Sequence, residues 1–291
     1  MDSRYLETFI MVAECGSIAE AARRLNLTPA ALAQRLRALE ADLGQPLVVR
    51  SGRTVQPTEA GLAILDHARK LVAGTRDLRA IAGRGVPSGQ LRLGATATAM
   101  TGILPGVVAD LSEKYPEIEY FVQPGSSVDL YHRLIEEHLD AAILVKPNFS
   151  LPKSVEWLAM KHEPLVLLTP EINAGDDLAD LVSTSQFIRY DRNQWGGQIV
   201  DNYLRARGLH VREWLELDAL DAIAAMVNRG LGFSIVPDWC APWPEGLRIT
   251  KTLLTRGEVR QTGVLWRRSG ARLAAVNAFV GACRRVVDQS A

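Results

Sequence analysis

The stretch from Thr28 to Leu43 carries the pattern that most restricts how this chain can fold. Thr28 can accept a hydrogen bond at a helix N-terminus, and Pro29 suits the first helical position, where no N–H is needed. Four leucines then recur at helical spacing: Leu32, Leu36, Leu39 and Leu43. This spacing predicts a helix with one apolar stripe, which must be buried against other parts of the chain.

The opposite side of this predicted helix is small and polar. It carries Ala30, Gln34, Arg37 and Ala41. A helix with one buried face and a low glutamine and arginine face can enter the major groove of DNA and read base edges. We therefore predict a DNA-reading helix. Its candidate DNA contacts are Thr28, Pro29, Ala30, Ala33, Gln34, Arg35 and Arg37.

Two further helices are predicted before it. Apolar residues between Leu6 and Ala13 repeat with helical period, and Gly16 marks the end of that helix. The residues Ser17 to Glu20 form a capping box, in which each side chain is expected to bind the other residue's backbone N–H. Only a short turn separates this second helix from Thr28, so the pattern predicts a helix-turn-helix. A plain helical hairpin without DNA binding is the alternative.

Two short strands, 47–50 and 54–57, are predicted around a turn at 51–53. Such a hairpin is a wing, and Arg50 and Arg53 lie near its tip. Cations at this place would reach the adjacent phosphates or the minor groove. Both arginines therefore join the candidate DNA contacts.

The charge distribution favours the same interpretation modestly. Net charge is zero over the 291 residues, but residues 1–90 hold 12 Lys and Arg against 9 Asp and Glu, whereas the remainder holds 21 against 24. The front is therefore basic, as phosphate binding requires. The alternative is that these arginines form an ordinary solvated surface. The arginines concerned are Arg23, Arg24, Arg35, Arg37, Arg50 and Arg53.

A long helix is predicted from Thr58 to Ala82. Ile64, Leu71 and Leu78 repeat every seven residues, which is typical of a helix that pairs with a second copy. A line of small residues lies beside them: Gly61, Ala68, Thr75 and Ala82. The alternative is an amphipathic helix packed on its own domain. Glycine and proline residues at 83–90 then predict a hinge.

The front of the chain resembles the winged helix-turn-helix and linker helix of LysR-type transcriptional regulators. The residues that carry the resemblance are Phe9, Val12-Ala13, Gly16-Ser17, Ala21-Ala22, Leu25, Ala31-Leu32, Arg37, Leu39-Glu40, Leu43-Gly44, Leu47, Arg50, and Leu62 after Thr58-Glu59-Ala60-Gly61. Two positions depart from the family pattern. Thr28-Pro29-Ala30-Ala31 stands where Ser-Gln-Pro-Ala is frequent, and Ala33 stands where serine is frequent.

Apolar strand-like runs and helical patterns alternate through the rest of the chain, which predicts an α/β fold with a parallel sheet covered by helices. In this interpretation Leu91 to Ala95 is a strand, and Thr96 to Thr101 is a polar loop. Short strands are predicted at 247–249 and 262–266, and a last helix at 273–287.

This region resembles the two-lobed effector domain of the same regulators, which is similar in fold to periplasmic solute-binding proteins. The matching residues are Tyr115-Pro116, Gly125-Ser126-Ser127, Gly230-Leu231-Gly232-Phe233 and Pro237. The resemblance implies four segments: a DNA-binding domain at 1–58, a linker helix at 59–82, a hinge at 83–90 and an effector domain at 91–291. It also implies lobe one at about 91–163 and 265–291, lobe two at about 164–264, and crossings near 161–164 and 263–265.

Ligands of open α/β sheets bind beyond the carboxyl ends of the strands, near helix N-termini. Three predicted loops with hydroxyl, arginine or tryptophan side chains qualify, and they favour a small carboxylate or similar anion. The alternative is that these residues are ordinary caps and packing residues. The candidate effector contacts are Thr96, Thr98, Thr101, Ser126, Ser127, Arg192 and Trp195.

Motifs for catalysis are not found: the five histidines lack H-E-x-x-H spacing, and neither G-x-S-x-G nor a P-loop occurs. Cys15, Cys240 and Cys283 suit neither a disulfide framework nor a zinc site. With no export signal or apolar span in this sequence, we expect a cytoplasmic protein.

We therefore predict a ligand-responsive transcriptional regulator and no enzyme, cofactor or metal. Its expected partners are double-stranded DNA, a small effector and further copies of itself, as a homodimer or homotetramer, without a membrane. A solute-binding or transport module is the alternative.

Overall fold

The structure is a computed structural model, and it divides into two compact units, residues 1–85 and 86–291. The structure describes residues 2–52, 54–82, 87–239 and 241–288. Arg53, the first four residues of the predicted hinge and Cys240 therefore lie outside the described residues.

The first unit is a helix-turn-helix followed by a two-stranded wing and a long helix, as predicted. Its helices are α1 (Ser3–Cys15), α2 (Ile18–Arg24), α3 (Pro29–Leu43) and α4 (Glu59–Ala82). The wing strands are β1 (Val48–Ser51) and β2 (Thr54–Pro57), which pair antiparallel.

The N-terminus of α3 is capped as the sequence predicts. The hydroxyl of Thr28 accepts the N–H of Ala31 at 3.2 Å, and Leu32, Leu36 and Leu39 are buried. Leu43 departs from the predicted stripe, since 41% of it is exposed. It is the last residue before the left-handed cap at Gly44, so it lies past the core that the three other leucines fill.

The predicted capping box of α2 forms only in part. The Ser17 hydroxyl accepts the N–H of Glu20, but the Glu20 carboxylate accepts hydrogen bonds from Arg23 and Arg24 instead of reaching back. Charged guanidinium donors are stronger partners for a carboxylate than a neutral backbone N–H, which accounts for the difference.

The long helix α4 uses one face for its own unit. Ala68 and Val72 are buried in the core, where Ile64 also packs, and a Cβ on Gly61 would lie 2.2 Å from the Leu47 carbonyl oxygen. Of the predicted small-residue line, Gly61 therefore packs on the wing and Ala68 in the core of the unit, and Ile64 is not on an open seam. An apolar pair further along is open: Leu71 is 52% and Leu78 is 66% exposed.

The second unit contains a six-stranded sheet in the order β4-β3-β5-β10-β6-β9 and a separate parallel pair, β7-β8. The strands are β3 (Gly89–Ala95), β4 (Ile118–Pro124), β5 (Ala141–Val145), β6 (Val155–Pro170), β7 (Gln186–Tyr190), β8 (Arg212–Leu217), β9 (Ser234–Pro237) and β10 (Ile249–Arg267). Only β3, β4 and β5 run parallel in the large sheet, and the pairs made by β6, β9 and β10 are antiparallel. The parallel sheet predicted from the alternation of strands and helices is therefore confirmed for β3, β4 and β5, and β6, β9 and β10 extend this sheet with antiparallel pairs.

Helices cover these strands on both sides. They are α5 (Ala97–Gly102), α6 (Leu104–Lys114), α7 (Ser127–Ile135), α8 (Leu178–Thr184), α9 (Trp195–Ala206), α10 (Leu220–Asn228) and α11 (Leu273–Asp288), with a 3-10 turn at Glu171–Asn173. Helix α5 occupies the segment predicted as a threonine-rich loop, and Ser127 lies in α7 instead of a loop. Among the described residues, no helix is long and apolar enough to cross a membrane.

Two separate cores define two lobes of this unit. Leu93, Ile143 and Phe279 belong to the core of lobe one, whereas Ile188 and Ile223 belong to that of lobe two. The long strands β6 and β10 pass from one core to the other and pair with each other along most of their length. The segments 247–249 and 262–266 were predicted as separate strands. The strand β10 joins 249 to 267 in one piece, because β-bulges absorb its irregularities.

On β6, Met160 belongs to the core of lobe one and Leu165 to the core of lobe two. The chain therefore crosses between the lobes at 161–164, where the first crossing is predicted. Residues 161–164 pair with 259–262 of β10. The predicted second crossing at 263–265 instead pairs with β5 inside lobe one, so the chain has crossed before it.

Candidate functional site

The outward face of α3 is open in the first unit. Thr28, Pro29, Ala30, Gln34 and Arg37 are exposed. Ala33 and Arg35 are half-buried. Most side chains on this face are short, and its long exposed polar side chains are those of Gln34 and Arg37.

The arginines of this unit differ in whether their charge is already paired. Arg23 and Arg24 each lie 2.9 Å from a Glu20 oxygen, and these bonds lower the pKa of Glu20 to about 2. Arg37 and exposed Arg50 have no ion-pair partner in the part of the chain that the structure describes. Their charges are therefore available to an external anion. Arg53, the other predicted wing contact, lies outside the described residues.

A half-buried carboxylate fixes the wing against α3. The Glu40 side chain on α3 accepts the N–H groups of Leu47 at 2.8 Å and Val48 at 3.3 Å. The N–H of Val55 on β2 donates to the Gly16 carbonyl at 2.8 Å. The Glu40 bonds hold the wing beside α3, and the Val55 bond ties it to the end of α1; no role for Glu40 was predicted from the sequence. A glutamate among the inward-facing leucines was the available signal.

A cavity of about 550 Å³ lies between the two lobes of the second unit, and we call it the interlobe cavity. Five of the seven predicted effector contacts line it: Thr96, Thr98, Thr101, Ser126 and Ser127. Lobe two and the crossing strand contribute Tyr190, Gln194, Asp218, Ala219, Leu220, Asp221, Trp239, Trp243 and Arg260.

The hydroxyls of lobe one have different partners. Ser126 caps α7 and donates to the Asp129 carboxylate at 2.8 Å, and Ser127 accepts the N–H of Val145 at 3.0 Å. Thr101 bonds to backbone within its own helix. The Thr96 hydroxyl is buried and has no hydrogen-bond partner among the described residues, so a ligand can satisfy it.

The other two predicted contacts do not line this cavity. Arg192 donates to Glu216 and Glu213, and hydrogen bonds to these carboxylates raise its pKa. Trp195 is 7% exposed, and its ring meets Tyr131 at a centroid distance of 5.8 Å and Phe149 at 5.7 Å. The structure therefore gives both side chains neighbours within the protein, which the packing alternative had anticipated for Trp195.

Arg260 is the buried cation of the cavity wall, and the sequence reasoning missed it. It is 2% exposed, and its Nε donates to Glu163 at 2.6 Å, opposite it on β6. The Tyr190 hydroxyl lies beside this guanidinium, and the Nη2 atom makes no well-formed hydrogen bond among the described residues. A lone arginine just before the predicted strand at 262–266 was the available signal, because buried charges in strands need a specific partner.

Two carboxylates and two tryptophans complete the lobe-two wall. Burial, and then the nearby Asp191 carboxylate, raise the pKa of Asp218 to about 6. Asp221 lies in the first turn of α10. The rings of Trp239 and Trp243 stack with centroids 3.5 Å apart, which gives the cavity a flat apolar side. Nothing in the residue pattern had nominated Asp218, since its neighbours in space come from distant segments.

The described residues contain no group of three or more histidine, cysteine, aspartate or glutamate side chains that could hold a metal ion. The site is therefore built from hydroxyls, one buried guanidinium, carboxylates and aromatic rings. This set of groups suits reversible binding of a small polar molecule.

Comparisons with known proteins cover nearly the whole chain. A family model described as "LysR substrate binding domain" matches residues 84–288, and one described as "Bacterial regulatory helix-turn-helix protein, lysR family" matches residues 3–62. The transcriptional regulator IlvR of Caulobacter vibrioides is 31% identical over 279 residues, 93% of this chain and 94% of that protein. The transcriptional activator IlvY of Salmonella typhimurium is 28% identical over 246 residues, 82% of this chain and 83% of that protein.

Solved structures share the fold. An OxyR mutant of Corynebacterium glutamicum aligns with a TM-score of 0.68 at 22% identity, over 99% of this chain and 93% of that one. Full-length CbnR in complex with its target DNA aligns with a TM-score of 0.65 at 23% identity, over 98% and 100%. The chain has an N-terminal DNA-binding domain followed in sequence by a substrate-binding domain. This order confirms the prediction of a transcriptional regulator and not the alternative of a transport module. The chain belongs to the LysR family of ligand-responsive, DNA-binding transcriptional regulators.

Proposed function

We propose that the effector of this regulator is a small carboxylate or similar anion that binds in the interlobe cavity. The observation that carries the proposal is Arg260, a guanidinium that is 2% exposed, lies beside the Tyr190 hydroxyl and makes no well-formed hydrogen bond from Nη2 among the described residues. A buried donor left unpaired costs roughly 1–3 kcal/mol. A bound anion would remove that cost by accepting the hydrogen bond.

Three further groups support an anionic ligand. The Thr96 hydroxyl lies in the cavity wall without a partner. The helices α9 and α10 begin in the same wall, at Gln194 and Ala219, and neither has a side-chain cap. Uncapped N–H groups at a helix start are donors for anions.

The position of Arg260 suggests how effector binding could change DNA binding. It lies on β10 where the chain crosses between lobes, and the cavity also includes Ser126 of lobe one and Gln194 of lobe two. A ligand that contacts both lobes stabilises the arrangement in which they are close. The proposed output is a change in DNA binding by the oligomer.

On the DNA side, we propose that Gln34 and Arg37 read base edges and that Arg50, with Arg53, contacts phosphates or the minor groove. The exposure of Gln34 and the unpaired charge of Arg37 support this division. The small side chains at the start of α3 let its backbone come close to the DNA, and Arg35 supplies charge at its half-buried edge. These close-approach positions are Thr28, Pro29, Ala30 and Ala33.

We further propose a cytoplasmic protein that binds its effector without turning it over. The relatives are transcriptional regulators, which supports binding without turnover. The exposed apolar pair of α4, Leu71 and Leu78, is the proposed seam of a homodimer, which is also the building block of a homotetramer.

The effector proposal is tested with a double variant, Glu163→Gln with Arg260→Gln, which replaces both buried charges by amides and leaves neither charge alone. A thermal-shift screen of small carboxylates first identifies one that stabilises the full-length protein. Calorimetry should then show that the double variant binds it roughly 10- to 150-fold more weakly, since a charge-assisted hydrogen bond contributes about 1.5–3 kcal/mol.

The matched control is Asp110→Asn with Arg285→Gln, which removes an ion pair of α6 and α11 outside the cavity lining. This control should bind the carboxylate as the unmodified protein does. Equal affinity of the cavity variant and the control would contradict the proposal, as would a panel in which no carboxylate raises the melting temperature.

A further inference from the structure

The interlobe cavity presents both signs of charge, and the negative groups outnumber the positive one. Arg260 is the cation in its wall, and Glu163, which is 3% exposed, already opposes that charge at 2.6 Å. Asp218 and Asp221 also line the cavity, and neither has an ion-pair or hydrogen-bond partner among the described residues. The wall therefore carries unbalanced negative charge.

A ligand with only negative charge suits such a wall poorly. It would gain a hydrogen bond from Arg260 but would lie in the same cavity as two carboxylates. Like charges in a partly buried site repel more strongly than in water. A ligand that brings one positive and one negative group adds no net charge and can satisfy both sides.

Asp218 differs from the neighbouring carboxylates because its oxygens are not used within the protein. Asp129 accepts a hydrogen bond from the Ser126 hydroxyl at 2.8 Å, and Asp191 accepts the N–H of Asn193 at 2.8 Å. Asp221 lies in the first turn of α10, where the helix dipole stabilises negative charge. Asp218 has no hydrogen-bond or ion-pair partner among the described residues; burial and the nearby Asp191 carboxylate raise its pKa, and the Arg260 charge only partly opposes them.

We infer that the effector is amphoteric: its carboxylate binds Nη2 of Arg260, and a protonated amino group on the same molecule binds Asp218. The inference rests on the proposed function, because it concerns the same cavity and keeps the same carboxylate contact. It adds the second charged group and the residue that recognises it.

The remaining wall limits what lies between these two groups. Trp239 and Trp243 stack on one side, and Leu220 and Val145 add further apolar surface. A volume of about 550 Å³ lies within the range of roughly 300–1,000 Å³ that is usual for small-molecule sites. The ligand class that fits is an amino acid or short peptide with an apolar side chain.

Matched ligands test the amino group directly on the full-length protein. The probes are apolar L-amino acids, each with its des-amino acid and its decarboxylated amine: tryptophan with 3-indolepropionate and tryptamine, phenylalanine with 3-phenylpropionate and phenethylamine, leucine with 4-methylpentanoate and isopentylamine. In at least one set the amino acid should bind about tenfold more tightly than either truncated partner, because only it pairs with both charges.

The results separate the inference from the function on which it rests. If a des-amino carboxylate binds as tightly as its amino acid, the amphoteric inference fails and the carboxylate proposal stands. If the amines alone bind, or if no probe stabilises the protein, both fail.

A variant assigns the contact to a residue. Asp218→Asn should weaken binding of the preferred amino acid about tenfold and leave its des-amino acid unchanged or tighter, because only the amino group loses its partner. The control Asp180→Asn removes a carboxylate from exposed α8 of the same unit, outside the cavity, and should change neither affinity. An equal loss for both ligands in Asp218→Asn would overturn the assignment.

Discussion

The outward face of α3 and the wall of the interlobe cavity both present arginines, but the two regions hold the charge differently. Arg37 is exposed and has no carboxylate partner among the described residues, whereas Arg260 is buried opposite Glu163. An exposed, unpaired cation binds phosphate-rich surfaces through a salt-sensitive attraction. A buried cation has already lost its water, so it selects a ligand by geometry and by the hydrogen bond that it lacks.

The comparison also extends to packing. The leucines on one side of α3 are buried in the core, and the opposite side is exposed to solvent. The cavity wall draws its residues from both lobes and from the strand that crosses between them. The outward face of α3 is thus a property of one helix, whereas the cavity exists only when distant segments come together.

The largest expected effect concerns the proposed homodimer seam on α4. This seam would set the distance between the DNA-binding surfaces of two copies. Leu71→Lys with Leu78→Lys should convert the oligomer to monomers, because four unpaired lysines would face each other in a dimer. Sedimentation equilibrium measures this and distinguishes a dimer from a tetramer. The control is Leu62→Lys, since Leu62 is 62% exposed on the opposite face of the same helix, about two and a half turns before Leu71. If the double variant keeps the oligomer mass of the unmodified protein, the dimer seam does not lie at Leu71 and Leu78.

A smaller loss is expected from the reading helix itself. Arg37→Ala should weaken specific DNA binding by about 1–3 kcal/mol, which is the usual value of a good arginine–base contact, and should reduce discrimination between operator sequences. Fluorescence anisotropy on the DNA upstream of its own gene measures both. Effector affinity should not change, and a loss of effector binding in this variant would contradict the separation of the two regions. Arg24→Ala, whose charge Glu20 already pairs, is the matched control.

The smallest effect is a pH dependence from the cavity. The folded pKa of Asp218 is about 6, above its ordinary 3.8, so the folded state holds this proton more tightly than the unfolded state does. Stability from this group is therefore greatest at low pH and is lost as pH rises through 6. Asp218→Asn should raise the melting temperature at pH 8 relative to the unmodified protein, and this advantage should shrink at pH 5. A gain that is equal at both values would contradict the assignment.

Local patterns predicted the first unit well, because its signals lie within single helices and turns. The cap at Thr28 and three of the four predicted leucines of α3 appear at their predicted places, and the two wing strands pair as a hairpin. Errors occurred where a residue had a choice of partners. Glu20 bonds to Arg23 and Arg24, and Ile64 packs into its own unit, because the geometry of neighbouring elements decides which contact forms.

The cavity was predicted only in part. Ser126 at the start of α7 and Thr96 after β3 follow strand ends, so the rule that ligands bind beyond strand carboxyl ends was enough to nominate them. The same rule nominated Arg192, but the structure brings Glu213 and Glu216 of β8 against it. No local pattern shows that a carboxylate from a later strand will pair with that arginine.

The sequence by itself determined the helix-turn-helix, the wing and the alternation of strands and helices, because these depend on the period of apolar residues and on turn and cap chemistry over short distances. The tertiary structure alone decided that β6 and β10 run antiparallel through both lobes and that Arg260 faces Glu163 at the crossing, with Asp218 unpaired in the same cavity. Those contacts join residues that are far apart in the sequence, as in the pairing of Arg267 with Val155. Their partners are set by strand register and by which charges burial leaves without water.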